Sequence, residues 1–150
     1  MARFRYQMQN ILSIKEKLEE QEKQNFALMR RKLSEEEAVL EQLQKKREEL
    51  AEESRRIRTD KINVLKLKEN EASRKYMEDQ VKQQHLKVRI AEKNLESARI
   101  KMQRATQERK IHDKLKEKAF ENFMQEESRN EAKEIDELTS YVYGQKKPVN

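Results

Sequence analysis

An all-α fold is expected, two long helices forming an antiparallel coiled-coil hairpin, on three observations. The 150-residue chain holds one glycine, Gly144, and one proline, Pro148, so nearly all of it lacks the residues that punctuate structure most sharply. The remainder is rich in Glu, Lys, Arg, Gln, Leu, Met and Ala, side chains that lose little rotamer freedom on a helix. Its apolar residues also recur at alternating intervals of three and four, in two series whose registers do not match. Two paired helices separated by a break produce that pattern.

Composition sets the kind of helical protein. Charged residues make up 43% of the chain and hydrophobic residues 34%, against about 25% and roughly 45–50% in an ordinary globular domain. A broad core is therefore excluded, and a narrow apolar seam between long helices is what this composition supports. A single domain spanning residues 1–150 is expected. With no cysteine, disulfides and thiolate chemistry are absent. Gln7, Gln9 and Asn10 interrupt the apolar residues near the N-terminus. The reading is neither a signal peptide nor a membrane-inserted segment, and hence a cytoplasmic protein.

The first helix is expected over about residues 4–57. Phe26, Met29, Leu33, Leu40, Leu43, Leu50 and Ile57 fall on two positions of a seven-residue repeat, the a and d sites of a coiled coil. The turn is placed at 58–63, where Thr59, Asp60 and Asn63 can bond the local backbone and compete with the helix. The second helix is expected over about 63–142, with a flexible tail at 144–150. Its seam is Met77, Val81, Val88, Ala91, Leu95, Ala98, Met102 and Ala105. At 1.5 Å per residue the two helices would span ~80 Å and ~120 Å.

A hairpin centred near residue 62 would bring together residues whose numbers total about 124, as antiparallel pairing requires. Phe26 then faces Ala98, Met29 faces Leu95, Leu33 faces Ala91 and Leu43 faces Val81. The same seam positions include Glu36, Arg47, Ser54, Arg74 and Gln84. These forgo some of the ~1.5–3 kcal/mol that a buried Leu or Val contributes, so the half near the turn is expected to be the looser one.

The longer second helix leaves residues 121–142 without an opposite number. Phe120, Phe123, Met124, Ile135, Leu138, Tyr141 and Val142 lie on or near one stripe there, which a lone helix in water has no reason to keep. Two readings stand, an apolar cap folding back on Phe4 and Tyr6 or a surface that docks into a partner.

No catalytic constellation is present. His85 and His112 stand apart on helices and read as solvated side chains, no glycine-rich phosphate loop exists, and the carboxylates alternate with lysines as on any exposed helix face. Neither an enzyme nor a cofactor is expected. Residues 82–118 carry twelve Lys or Arg against five Asp or Glu, whereas 119–137 carry seven acidic residues against two basic ones. The basic stretch reads either as a solvated face or as a surface steering toward an acidic partner. Nucleic acid is the weaker choice, since no aromatic platform accompanies it.

The two ends carry a family likeness. Phe4-Arg5-Tyr6-Gln7-Met8-Gln9-Asn10-Ile11-Leu12-Ser13-Ile14-Lys15, leading into Lys17-Leu18-Glu19, resembles the start of the flagellar export protein family FliJ. Glu108-Arg109-Lys110, Lys114-Leu115-Lys116-Glu117-Lys118, Glu126-Glu127 and Ile135-Asp136-Glu137-Leu138 resemble that family's closing stretch. The likeness implies a component of the bacterial type III export apparatus that builds the flagellum and so serves motility. It implies a stalk-like coiled coil whose termini enter the export ATPase hexamer and promote its assembly and activity. It further implies a link to the membrane-embedded export gate, at the cytoplasmic face of the membrane, and dealings with the ATPase regulator and export chaperones.

Carried onto this chain, the ring-contacting residues are Phe4, Tyr6, Met8, Ile11 and Leu12 with Arg109, Lys110, Leu115, Ile135 and Leu138. Phe120 and Phe123 of the apolar stripe join them. Leu43, Leu50 and Tyr76, nearer the turn, are the candidates for the gate. The alternatives are the equivalent stalk of a virulence-type secretion system, a structural coiled coil that assembles into parallel dimers, and a basic helical nucleic-acid binder.

Overall fold

The computed structural model describes residues 2–59 and 61–145, and within them the chain forms two helices, α1 (Gln9–Thr59) and α2 (Val64–Gln145). The helices pack against each other as a hairpin, with no strand among the described residues. The turn lies where its chemistry put it. Thr59 Oγ1 bonds the Arg56 carbonyl at 2.9 Å and the Asn63 side chain accepts the Leu65 amide at 3.1 Å. Asn63 thus caps α2, satisfying an amide that the first turn leaves without a helical partner. Asp60, also expected to contribute there, lies outside the described residues.

Both helix bounds differ from the sequence expectation. The first helix begins at Gln9 rather than near Phe4, after a turn in which the Gln9 amide bonds the Tyr6 carbonyl at 3.1 Å. Phe4 leaves the helical path because its ring is taken up by two phenylalanines of α2. The second helix runs through Gly144 to Gln145, into what was read as tail. No described residue adopts a positive φ, so Gly144 does not end the helix in the left-handed form that glycine favours at a C-cap. The rest of the expected tail, with Pro148, lies outside the described residues.

The chain divides into two compact units, Glu20–Arg104 and a second made of Met1–Glu19 with Ala105–Asn150. In the Glu20–Arg104 unit the seam is narrow. Met77, Val81, Val88, Ala91 and Ala98 are buried on α2, with Phe26, Met29, Leu33, Leu40, Leu43, Leu50 and Ile57 half-buried on α1. Ser54 and Gln84 are buried and Glu36 half-buried, as the heptads require. Arg47 and Arg74 hold seam positions but are exposed, since a long stem lets a guanidinium reach water from there. Asn70 is buried in addition.

Two amides reach across the seam. Gln84 Nε2 donates to the Glu36 carbonyl at 2.9 Å and to the Glu36 carboxylate, and Asn70 Nδ2 donates to the Leu50 carbonyl at 3.1 Å. Each uses the second lone pair of a carbonyl already engaged in its own helix. A constant of about 124 sets Gln84 against Leu40 and Asn70 against Ser54. The expected register holds, since Leu50 shares a groove with Ser73 and Met29 with Asn94, at totals of 123; each amide reaches from its own layer along α1 to a carbonyl about one turn away, because a buried amide must find an acceptor.

Candidate partner-binding site

The unit built from the two chain ends holds most of the residues expected to contact a partner. The short segment before α1 crosses onto α2, and Phe4 lies against Phe120 and Phe123, with ring centroids 5.2 and 5.5 Å away at interplanar angles of 77° and 51°. The edge-on contact with Phe120 sets the positive rim of one ring against the negative face of the other, while Phe123 is tilted against Phe4. The cap expected at Phe4 and Tyr6 is met at Phe4, whose ring packs on Phe120 and Phe123.

In the same unit Leu12 is 1% exposed, the most completely buried large side chain described. That removes Leu12 from the partner-contacting set and makes it core. A row of charges joins the helices nearby. Arg109 binds Glu19 at 2.9 Å and Asp113 on its own helix, and Lys15 binds Glu108 at 2.8 Å. The Lys15 ammonium holds the Glu108 carboxyl below its ordinary value, and the Glu19 and Asp113 carboxylates raise the Arg109 guanidinium. Arg109 is half-buried in this network. Two buried polar atoms, the Tyr6 hydroxyl and His112 Nδ1, have no hydrogen-bond partner among the described residues. His112 was read as solvated; it is half-buried, because its helix turns that side toward the paired face, whereas His85 is exposed.

The other ring-contact candidates lie on the surface. Met8, Ile11, Lys110, Leu115 and Phe120 are exposed, with Tyr6 and Phe123 half-buried. From Ser128 to Gln145 every residue of α2 is exposed, including Ile135 at 62% and Leu138 at 64%. The apolar stripe of this stretch thus remains uncovered within the unit.

The candidates nearer the turn belong to the other unit. Leu50 and Tyr76 line one groove of about 540 Å³ with Ala72 and Met77, and Tyr76 is 63% exposed. Leu43 borders a different groove with Val39 and Gln42, the two sharing Lys46 and Glu49. Sequence reasoning passed over Ile62, Val64 and Leu65 at the turn and Leu86 and Ile90 on α2, all well exposed. They fall outside the seam heptads, so only a search for apolar residues off the seam could have found them. Among the described residues no group of His, Asp or Glu is placed to hold a metal ion, and no helix is long and apolar enough to cross a membrane.

Comparison with known proteins agrees with the likeness at the chain ends. The solved structure of CT670 from Chlamydia trachomatis, described as a YscO homologue, matches with a TM-score of 0.64 and 23% identity, over 97% of this chain and 100% of the other. At that identity the likeness is one of fold. No curated protein matches. The family described as Flagellar FliJ protein matches over residues 4–148, and with nearly the whole hairpin covered, this chain belongs to the FliJ family.

Proposed function

We propose that this chain is a stalk-like component of a flagellar type III export apparatus, acting through its two ends on the ring of the export ATPase and through the hairpin near the turn on the membrane export gate. The observation that carries the reading is the uncovered apolar stripe of the terminal stretch of α2, with Ile135 and Leu138 more than half exposed. Family membership supports the export role. A single helical shaft offers each subunit of a ring a different face. Subunits meeting different faces take up states of unequal nucleotide affinity, which is how a shaft biases a hexamer. Met8, Ile11, Lys110, Leu115 and Phe120 would complete the ring-facing surface, and the groove of Leu50 and Tyr76, with Leu43 beside it, would meet the gate. Through the gate the protein would work at the cytoplasmic face of the membrane, within reach of the ATPase regulator and of export chaperones.

The test is paired substitution. Ile135→Asp with Leu138→Asp should preserve helicity, since both side chains already face water, and should abolish stimulation of the export ATPase by placing charge in an apolar contact. Leu43→Asp with Leu50→Asp should spare stimulation and weaken capture of the gate. Normal stimulation by the first variant would refute the assignment of the ends. A second reading, the equivalent stalk of a virulence-type system, is favoured by the fold likeness to the YscO homologue; deletion of the gene would then abolish effector secretion and leave motility intact.

A further inference from the structure

The stripe that runs from Phe120, at the edge of the Phe4 contact, into the uncovered stretch of α2 is not simply apolar. Positions 120, 124, 127, 131, 134, 138 and 142 recur at intervals of three and four and so share one face of a helix with 3.6 residues per turn. Phe120, Met124, Leu138 and Val142 occupy that face, with Ile135 beside it. Glu127, Glu131 and Glu134 stand between the two apolar pairs. Glu131 and Glu134 are exposed, Glu127 is half-buried, and the two cations of the stretch, Arg129 and Lys133, lie on the opposite side of the helix. The stripe is thus apolar, acidic, then apolar again, with no cation on its face.

From this we infer that the surface receiving the stretch is an apolar groove interrupted by lysine or arginine side chains at the level of Glu131 and Glu134. The inference rests on the proposed function, the groove being that of the export ATPase. A second copy of this chain is a poor occupant. Two parallel copies would set each glutamate against its twin, and two antiparallel copies centred on the stripe would cross at Glu131. Either arrangement places like charges together in a partly desolvated contact, which is destabilising. A groove lined only by apolar side chains would strip water from the carboxylates with nothing in return. Cations between apolar contacts satisfy both parts of the stripe, and by fixing which glutamate meets which cation they set how deeply the helix enters.

The experiment measures binding of the full chain to the purified export ATPase across a series of salt concentrations. Glu131→Gln with Glu134→Gln keeps shape and helix propensity while removing two charges from the stripe. Asp136→Asn with Glu137→Gln removes two charges from other faces of the same stretch. The first pair should weaken binding about tenfold or more at low salt and flatten the salt dependence, while the second should change binding by about twofold at most. Equal losses from both pairs would mean that diffuse net charge is at work and would overturn the interleaved groove. Unchanged or tighter binding by the first pair would overturn it as well, leaving the apolar contact and the proposed function standing. Failure of the unaltered chain to bind the ATPase at any salt concentration would overturn both readings. Self-association of the unaltered chain through this stretch, measured by sedimentation, would replace the ATPase groove with a second copy.

Discussion

The Glu20–Arg104 unit and the unit built from the two chain ends face the same difficulty, two helices with little apolar surface to share, and meet it differently. In the first, small and medium apolar residues alternate with buried amides, and Gln84 and Asn70 reach across to backbone carbonyls of α1. In the second, one fully buried leucine, three phenylalanine rings and a row of ion pairs make the contact. Amide-to-backbone bonds are short and directional, so they select a register. Rings and long charged side chains tolerate small displacements, so they join the helices without defining the register as closely. The directional chemistry thus sits where the seam is continuous, and the adaptable chemistry sits in the unit that also carries the uncovered stripe.

The largest effect should come from Leu12. Its replacement by alanine removes the best-buried side chain of the terminal unit and should cost about 3 kcal/mol. Amide exchange should accelerate around 105–123 more than around 77–98, and uniform acceleration would mean that the two units do not open separately.

Next in size is the Glu36–Gln84 layer. Gln84→Leu alone should destabilise by about 1–3 kcal/mol, because the Glu36 carboxylate loses its donor in a partly buried site. Glu36→Leu combined with Gln84→Leu should recover that loss in chemical denaturation. If the double variant is no more stable than the single one, the layer is held by packing rather than by its hydrogen bonds.

Phe4→Ala should cost about 1 kcal/mol, on the scale of ring contacts between partly exposed aromatics. It should raise proteolytic cleavage before Gln9 while leaving α1 and α2 helical by circular dichroism. The smallest effect is the acid response of the Lys15–Glu108 pair. The Glu108 carboxyl is held below its ordinary value by the Lys15 ammonium, so its contribution is complete above that ordinary value and disappears as pH falls through the lowered one. Glu108 is exposed and Lys15 half-buried, so the pair is largely screened and worth little. Thermal melting of Lys15→Met should fall slightly below that of the unaltered chain at neutral pH and coincide with it in strong acid.

The fold was largely legible in the residues. Near-absence of glycine and proline implied continuous helix, the mismatch between the heptads of Ile57 and Met77 implied a break, and Asn63 offered the cap that the break uses. The stripe through Ile135 and Leu138 was equally legible, because periodicity along one helix shows which side is apolar. What covers such a side is a different matter. Phe120 and Phe123 belong to the same stripe, yet Phe4 covers one part of it and leaves the rest in water.

By itself, then, the sequence determined the helices, the turn and the faces, all properties that a segment of chain holds alone through local propensity and spacing. Tertiary structure decided the pairings. Glu36 meets Gln84 and Leu50 meets Asn70, Arg47 and Arg74 turn to water, Leu12 becomes core, and Phe4 leaves the helical path to reach α2. Which carbonyl a buried amide reaches, and which long side chain escapes to water, depends on the neighbours that surround it, and those neighbours exist only once both helices are in place.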